Sequence, residues 1–297
     1  MTALIQAEHI THSFGEKLIL EDISFTVEQG EVIGLLGPSG AGKTTLVNIL
    51  TGQLKAKEGN VRIRTEGDGS SRGPAGVRDS ARPVKAGKKQ LVTGVMMDSL
   101  GLYERLSVWD NLRIFADIYR VPVSRIEKLL DRTQLRPARN KTVNRLSKGM
   151  RGRVNLCRAL LKEADILYLD EPTSGLDPST IWKIHQLIGE EKQSGTTVFL
   201  TTHNMHEAQA LCDRIMLLHE GKIVEQGVPR DICARYDSRR EIEVTLQNGE
   251  RHSIPNARES QGILSEWIRE EKVRSIHSSE PDLEKVFLEI TGRRLSD

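Results

Sequence analysis

What this sequence lacks narrows it first. Aromatic residues are only 4% of its 297 residues, too few for a surface that holds single strands by stacking bases. Lys and Arg total 43 against 41 Asp and Glu, a formal charge of +2. A general nucleic-acid binder carries a basic excess, so no nucleic-acid partner is expected. The three cysteines, Cys157, Cys212 and Cys233, show no C-x-x-C spacing. An odd, unpatterned count points to reduced thiols rather than to a disulfide framework. No apolar run approaches the roughly 20 residues that cross a bilayer. The opening MTALIQAEHITHSF lacks the charged and then apolar organisation of a signal peptide. The expectation is a cytoplasmic protein that reaches a membrane only through a partner.

What is present alternates between strand and helix. GEVIGLLGPSGAGKTTLVNILTG is an apolar strand, a glycine-rich turn and a helical pattern. VRIR is a short strand, and ADILYLDEP is another. PSTIWKIHQLIGEEKQSG is helical up to a glycine stop, TTVFLTTH is a strand, NMHEAQALCDRI a helix and IMLLHEGKIVEQG a hairpin. This alternation specifies an α/β fold on a mostly parallel sheet. Residues 65–90 are rich in Gly, Ser, Pro and charge and cannot bury a face; a flexible insertion is expected there. From about residue 98 to residue 162 the pattern is helical. Within it LSVWDNLRIFADIYR sets Leu106, Trp109, Leu112 and Phe115 at helical spacing, as a core-facing stripe.

After residue 229 the texture changes. EIEVTLQNGERHSI alternates apolar and polar residues around Asn-Gly, a strong hairpin signal. GILSEWIREEK and DLEKVFLEITGRR are helical, with the strand VRSIHSS between them. Two domains are therefore expected, 1–229 and a small α+β domain over 230–297.

The chemistry begins at Gly37. GPSGAGKT fits G-x-x-x-x-G-K-[ST] at Gly37, Gly42, Lys43 and Thr44, between a strand and a helix. Gly37, Pro38, Ser39, Gly40, Ala41, Gly42, Lys43, Thr44 and Thr45 would together wrap a chain of phosphates. Glycines let successive backbone N–H groups curl around anionic oxygens, and the helix behind them adds the positive end of its dipole. Lys43 is expected to reach the β and γ phosphates, and the Thr44 hydroxyl to bind Mg²⁺.

Far downstream, ILYLDEP ends a buried strand on Asp170 and Glu171. Adjacent desolvated carboxylates repel and are costly unless something positive faces them. A magnesium nucleotide supplies it. Asp170 would hold Mg²⁺, in part through water, and Glu171 would orient or activate the attacking water. A guanine-specific enzyme would need Asn-Lys-x-Asp, and NKTV at Asn140 lacks the Asp.

These segments, in this order, resemble the ATP-binding cassette ATPases that drive ABC transporters, over residues 4 to about 228. Phe14 in THSFG stands where that family places an aromatic that stacks on adenine. RLSKGMRGRVNLCRAL resembles its signature segment, with Leu146, Ser147, Lys148 and Gly149. SGLD, ending at Asp177, resembles its dimer-contact loop, and His203 matches its γ-phosphate histidine. The resemblance implies a P-loop cassette with a helical subdomain, ATP and Mg²⁺ as cofactors, and catalysis by Lys43, Glu171 and His203. It implies a head-to-tail dimer with a second ATPase subunit. Each ATP then lies between one phosphate loop and the partner's Ser147, Lys148 and Gly149. It also implies a separately encoded permease, with docking near Tyr103 and Leu106, and a peripheral place on the inner face of the cell membrane.

EIEVTLQNG, DLEKVFLEITGRRLSD and LSKGM further resemble the drug- and antibiotic-resistance exporter ATPases of the daunorubicin-exporter kind. A second reading is a non-transport cassette or a slowly hydrolysing ATP-sensing regulator. Two departures from the family stand out. Met150 replaces a common Gln, and Asp98 stands about where a Gln is usual. Asp98 either joins the outer shell of Mg²⁺ or points away from it, with Ser99 as the other candidate for the position.

Overall fold

The computed structural model describes residues 3–64, 91–97, 101–236, 241–278 and 282–292. The insertion 65–90 and the pair Asp98 and Ser99 lie outside the described residues. The chain divides after Gln226 into two compact units.

The first unit opens with strands β1 (Ala3–Phe14), β2 (Lys17–Glu28), β3 (Val32–Leu36) and β4 (Glu58–Ile63). β1 pairs antiparallel with β2 on one side and β4 on the other, giving a three-stranded sheet in the order β2-β1-β4. The sequence pattern does not announce this sheet. Register shifts break the β1–β2 pairing between Ala7 and Ile10, between Ile10 and His12, and between His12 and Ser13. Each bulge flips the side on which the following residues point, so the period-2 alternation of a half-buried strand is scrambled.

The second sheet carries the site. β5 (Thr93–Met96), β6 (Ile166–Asp170), β7 (Thr197–Thr202), β8 (Arg214–His219) and β9 (Lys222–Gly227) join β3 in the order β5-β6-β7-β3-β8-β9. The pairs from β5 through β8 run parallel. β3, β6 and β7 are buried at every residue. Strands covered on both faces need continuous apolar runs, which is why VIGLL and ILYL read so plainly. Helices α1 (Lys43–Leu50), α5 (Pro178–Gln193) and α6 (Met205–Leu211) follow β3, β6 and β7. One core joins both sheets, with Leu46 and Val47 of α1 among Leu20, Ile33, Tyr168 and Phe199. Truncating a buried aromatic such as Phe199 to Ala typically costs about 3–5 kcal/mol.

Between β5 and β6 lie α2 (Val108–Tyr119), α3 (Val123–Arg132) and α4 (Lys148–Ala159). Ser107 caps α2 by accepting from the Asp110 amide at 3.0 Å. The buried residues of α2 are Val108, Asn111, Leu112 and Ala116. The stripe expected from Leu106, Trp109 and Phe115 is therefore rotated, since these three are only half-buried. The reason is Asn111. Its amide donates to the carbonyls of Tyr103 (3.0 Å) and Ser107 (2.9 Å) and accepts from the Tyr103 amide (2.7 Å). A fully satisfied polar residue can thus sit in the core. Trp109 instead lies under the Arg139 guanidinium, 4.2 Å from its ring centre.

The second unit holds α7 (Pro229–Arg235), β10 (Glu241–Leu246), β11 (Arg251–Pro255), α8 (Gln261–Arg269), β12 (Val273–Ser278) and α9 (Leu283–Thr291). Its sheet is antiparallel in the order β11-β10-β12. Asp282 caps α9, which buries Leu283, Val286 and Phe287. All three cysteines are buried and none is in a disulfide, and burial pushes the Cys157 thiol up to about 12. Among the described residues no helix is long and apolar enough to cross a membrane.

Candidate active site

β3 delivers the chain to Gly37, where a Cβ would stand 2.4 Å from the Leu218 carbonyl oxygen. Gly40 and Gly42 turn the loop with φ of +81° and +108°, a region that side chains other than glycine's rarely enter. No side chain caps α1, because Gly42 holds the capping position. Its first-turn amides keep their donors available for an anion. Lys43, 8% exposed, folds back over the loop. Its ammonium donates to the carbonyls of Gly37 (2.7 Å) and Pro38 (3.1 Å) and lies 3.6 Å from Glu171 Oε1.

The two acids at the end of β6 have separate environments. Asp170 is buried and takes hydrogen bonds from hydroxyls. Thr44 donates to its Oδ2 at 3.1 Å, and Thr201 donates to its Oδ1. Thr201 is its direct neighbour across the β6–β7 pairing. Glu171 leaves the strand with φ of +50°, a left-handed conformation that is strained for a residue with a Cβ. Its amide donates to the Thr201 carbonyl at 3.0 Å, which holds that turn. Its Oε2 lies 2.7 Å from His203 Nδ1. A carboxylate only accepts, so the Nδ1 proton is assigned to His203. Glu171 thus bridges Lys43 and His203. Asn204 then caps α6 by accepting from the amides of His206 and Glu207, while the His206 side chain is exposed.

Lys43, Thr44, Asp170, Glu171 and His203 therefore converge, although β3, β6 and β7 are far apart in sequence. Thr201 belongs with them and no motif marked it. Its one signal is its place at the end of the strand beside Asp170.

Ser147, Lys148 and Gly149 keep other company. Ser147 caps α4 through the Met150 amide at 3.3 Å, and both Ser147 and Lys148 are exposed. Gly149 is buried against the loop before α5. A Cβ there would stand 2.7 Å from Leu176 Cδ2 and 3.0 Å from the Gly175 carbonyl oxygen. Asp177 closes that loop by capping α5 and accepts from the Ser179 and Thr180 hydroxyls and the Thr180 amide. These bonds hold its carboxyl well below the usual carboxylate range. Phe14, at the end of β1, is 55% exposed, with its ring set edge-on to His12.

A family model described as ABC transporter matches residues 20–174. The chain is 35% identical to a fluoroquinolones export ATP-binding protein of Mycobacterium tuberculosis, over 92% of this chain and 88% of that protein. It is 27% identical to a linearmycin resistance ATP-binding protein of Bacillus subtilis, over 99% of this chain and 100% of that protein. Among solved structures, the ATP-binding subunit of an ABC transporter superposes with a TM-score of 0.64 and 27% identity, covering 78% of this chain and 93% of that one. A dimeric cassette in a post-hydrolysis state, bound to ADP and phosphate, gives 0.62 and 26% over 75% of this chain and 98% of that one. The parallel sheet, the phosphate-type loop and these likenesses agree: the chain belongs to the ABC transporter family, among its ATP-hydrolysing, ATP-binding subunits.

Proposed function

We propose that this chain hydrolyses Mg²⁺-bound ATP at Lys43, Thr44, Asp170, Glu171 and His203, as one of two cassettes that drive a separate export permease. The observation that carries the proposal is the placement of Glu171. It is a half-buried carboxylate in a strained turn, bracketed by a lysine at 3.6 Å and a histidine at 2.7 Å.

The donor set suits Mg²⁺. Thr44 Oγ1 and Asp170 Oδ2 are hard oxygen donors 3.1 Å apart. Among the described residues no cluster of three or more His, Cys, Asp or Glu forms a self-sufficient metal site. An ion held by one carboxylate and one hydroxyl, and completed by phosphate oxygens and water, is the usual Mg²⁺ arrangement. When bound, it neutralises charge on the β and γ phosphates.

The chain's own groups do the rest. The loop amides and the open end of α1 hold the phosphates. Lys43 exchanges the Gly37 and Pro38 carbonyls for phosphate oxygens. Glu171 orients a water for in-line attack on the γ phosphorus and accepts its proton as the bond to the β-phosphate oxygen breaks. The products are ADP and phosphate. His203 donates to Glu171 through Nδ1, and a second proton on Nε2 would let it donate to the γ-phosphate as well.

Ser147, Lys148 and Gly149 would serve the ATP of a second cassette, where the start of α4 offers a hydroxyl, a cation and helix amides. Phe14 would stack on adenine. The permease would dock beside an aromatic ladder in which Tyr103 stacks on Phe115 and Phe115 leans on Tyr119, with Tyr103 53% exposed. The names of the two relatives favour a drug or antibiotic as cargo, and a lipid-like compound is the wider alternative.

The test is co-expression with a neighbouring membrane protein, followed by drug-efflux and phosphate-release assays. Export that stops with Glu171→Gln supports the proposal. Export indifferent to that change refutes it.

A further inference from the structure

Glu207 on α6 is 1% exposed, and neither of its carboxylate oxygens has a hydrogen-bond partner among the described residues. A lone ionised carboxylate at such depth is costly. Its ion-pair partner is His185 on α5, whose Nε2 lies 3.4 Å from Glu207 Oε1. That nitrogen is buried as well and makes no hydrogen bond among the described residues. The Cys212 thiol supplies no counter-charge, because burial, and after it the charge of Glu207, push it up.

The pair joins two helices that follow the site's strands. α5 comes after β6, which ends on Asp170, and α6 comes after β7. His203 stands between β7 and α6 with an exposed side chain, so packing around its own ring does not place it. Its neighbours in the chain do. The Asn204 amide donates to Thr202 Oγ1 at 3.0 Å, and Asn204 Oδ1 accepts from the Glu207 amide at 3.2 Å. Glu207 is thus bonded through its backbone to the residue after His203, and paired through its side chain with α5.

Resting on the ATP-site reading above, we propose that His185 and Glu207 are positioning residues for hydrolysis: their buried pair fixes the start of α6 against α5 and so holds His203 against Glu171. They act through His203, whose Nδ1 lies 2.7 Å from Glu171 Oε2. A shift of α6 along α5 moves the group that holds the water-activating carboxylate. Stability alone does not account for a carboxylate here, since apolar residues of similar volume often stabilise a core as well as a buried ion pair does.

The experiment uses the full chain, with phosphate release, ATP titration and thermal melting. His185→Leu leaves Glu207 buried without its partner and should melt lower than wild type. Its kcat should fall about 10- to 100-fold, the scale of a small misplacement in a site, with ATP affinity within about twofold of wild type. His185→Leu combined with Glu207→Met removes the lone charge and should recover the melting temperature, while kcat stays low. His185→Gln, which keeps a donor, should recover part of kcat. A double variant whose kcat recovers along with its melting temperature overturns the proposal, because the pair would then be structural only. So does an unchanged kcat in His185→Leu, or a loss of ATP affinity as large as the loss of kcat. If His185→Leu does not fold, the double variant carries the same expectations for kcat and affinity. A wild-type chain that releases no phosphate from ATP overturns the ATP-site reading itself.

Discussion

Lys43 and Ser147 are both assigned to a γ-phosphate, yet their surroundings are opposite. Lys43 is 8% exposed and held by the carbonyls of Gly37 and Pro38 and by Glu171. Ser147 is exposed, and its oxygen accepts from the Met150 amide to cap its own helix, a bond that does not use its O–H proton. Around Lys43 the groups of one chain converge, so that Glu171 faces a lysine and a histidine and Asp170 accepts from two hydroxyls. Around Ser147 the same chain presents a helix start to solvent. In the proposed reading the first half would bind phosphates by itself, and the second half would acquire a function only when another molecule supplies what it faces. A buried half and an exposed half on one chain are what a site shared between two copies requires.

The comparison breaks most sharply at Glu171. Glu171→Gln should lower turnover by about 10²–10⁴-fold, the usual contribution of a positioned general base, while ATP affinity stays near wild type. Phosphate-release kinetics and nucleotide titration separate the two. Light scattering of this variant with ATP should show a dimer. Only monomer, with or without the permease, would leave the exposed half of the site without its proposed partner.

Lys43→Ala comes next and should act on affinity instead. Charge-assisted hydrogen bonds contribute about 1.5–3 kcal/mol each, so ATP should bind about 10- to 100-fold more weakly. Equal loss of kcat at saturating ATP with unchanged affinity would contradict the ground-state role.

Gly149→Ala probes the exposed half from behind. Its new Cβ would collide with Leu176 Cδ2 and the Gly175 carbonyl, and overpacking of this sort costs about 1–3 kcal/mol. The variant should melt lower, bind ATP normally, and form fewer ATP-dependent dimers in the Glu171→Gln background.

Asp177→Ala should have the smallest effect, a slight drop in melting temperature at neutral pH through loss of the α5 cap. The folded carboxyl is depressed by the Ser179 and Thr180 hydroxyls. Its contribution is therefore complete above the unfolded carboxylate pKa and is lost as pH falls towards the folded value. The gap between wild type and variant should persist through mild acid and close only well below the ordinary carboxylate range. A gap that closes near neutral pH would show that another group is titrating.

Much of the site was legible because phosphate chemistry allows few residue types in few orders. Glycines, a lysine and a threonine sit together in sequence, so their spacing alone is informative. The acidic pair was legible as a puzzle, since an apolar strand has no local reason to end on two carboxylates. What was not legible depends on contacts between distant segments. Thr201 matters only because β7 pairs with β6 in a register that sets it beside Asp170. Asn111 displaced Trp109 from the core face of α2 because its amide could satisfy Tyr103 and Ser107 together.

By itself the sequence determined the α/β class, the phosphate loop, the two acids and the histidine after β7. The loop is written in one short contiguous run, the acids become informative with that loop upstream, and the histidine is singled out only by the family resemblance. The tertiary structure alone decided what faces what. It set Glu171 between Lys43 and His203, gave Asp170 its two hydroxyls, and folded the bulged β1 and β2 into a second sheet. It also buried His12 beside Phe14. Those outcomes follow from strand register and burial, which are set by long-range packing and which no window of the sequence contains.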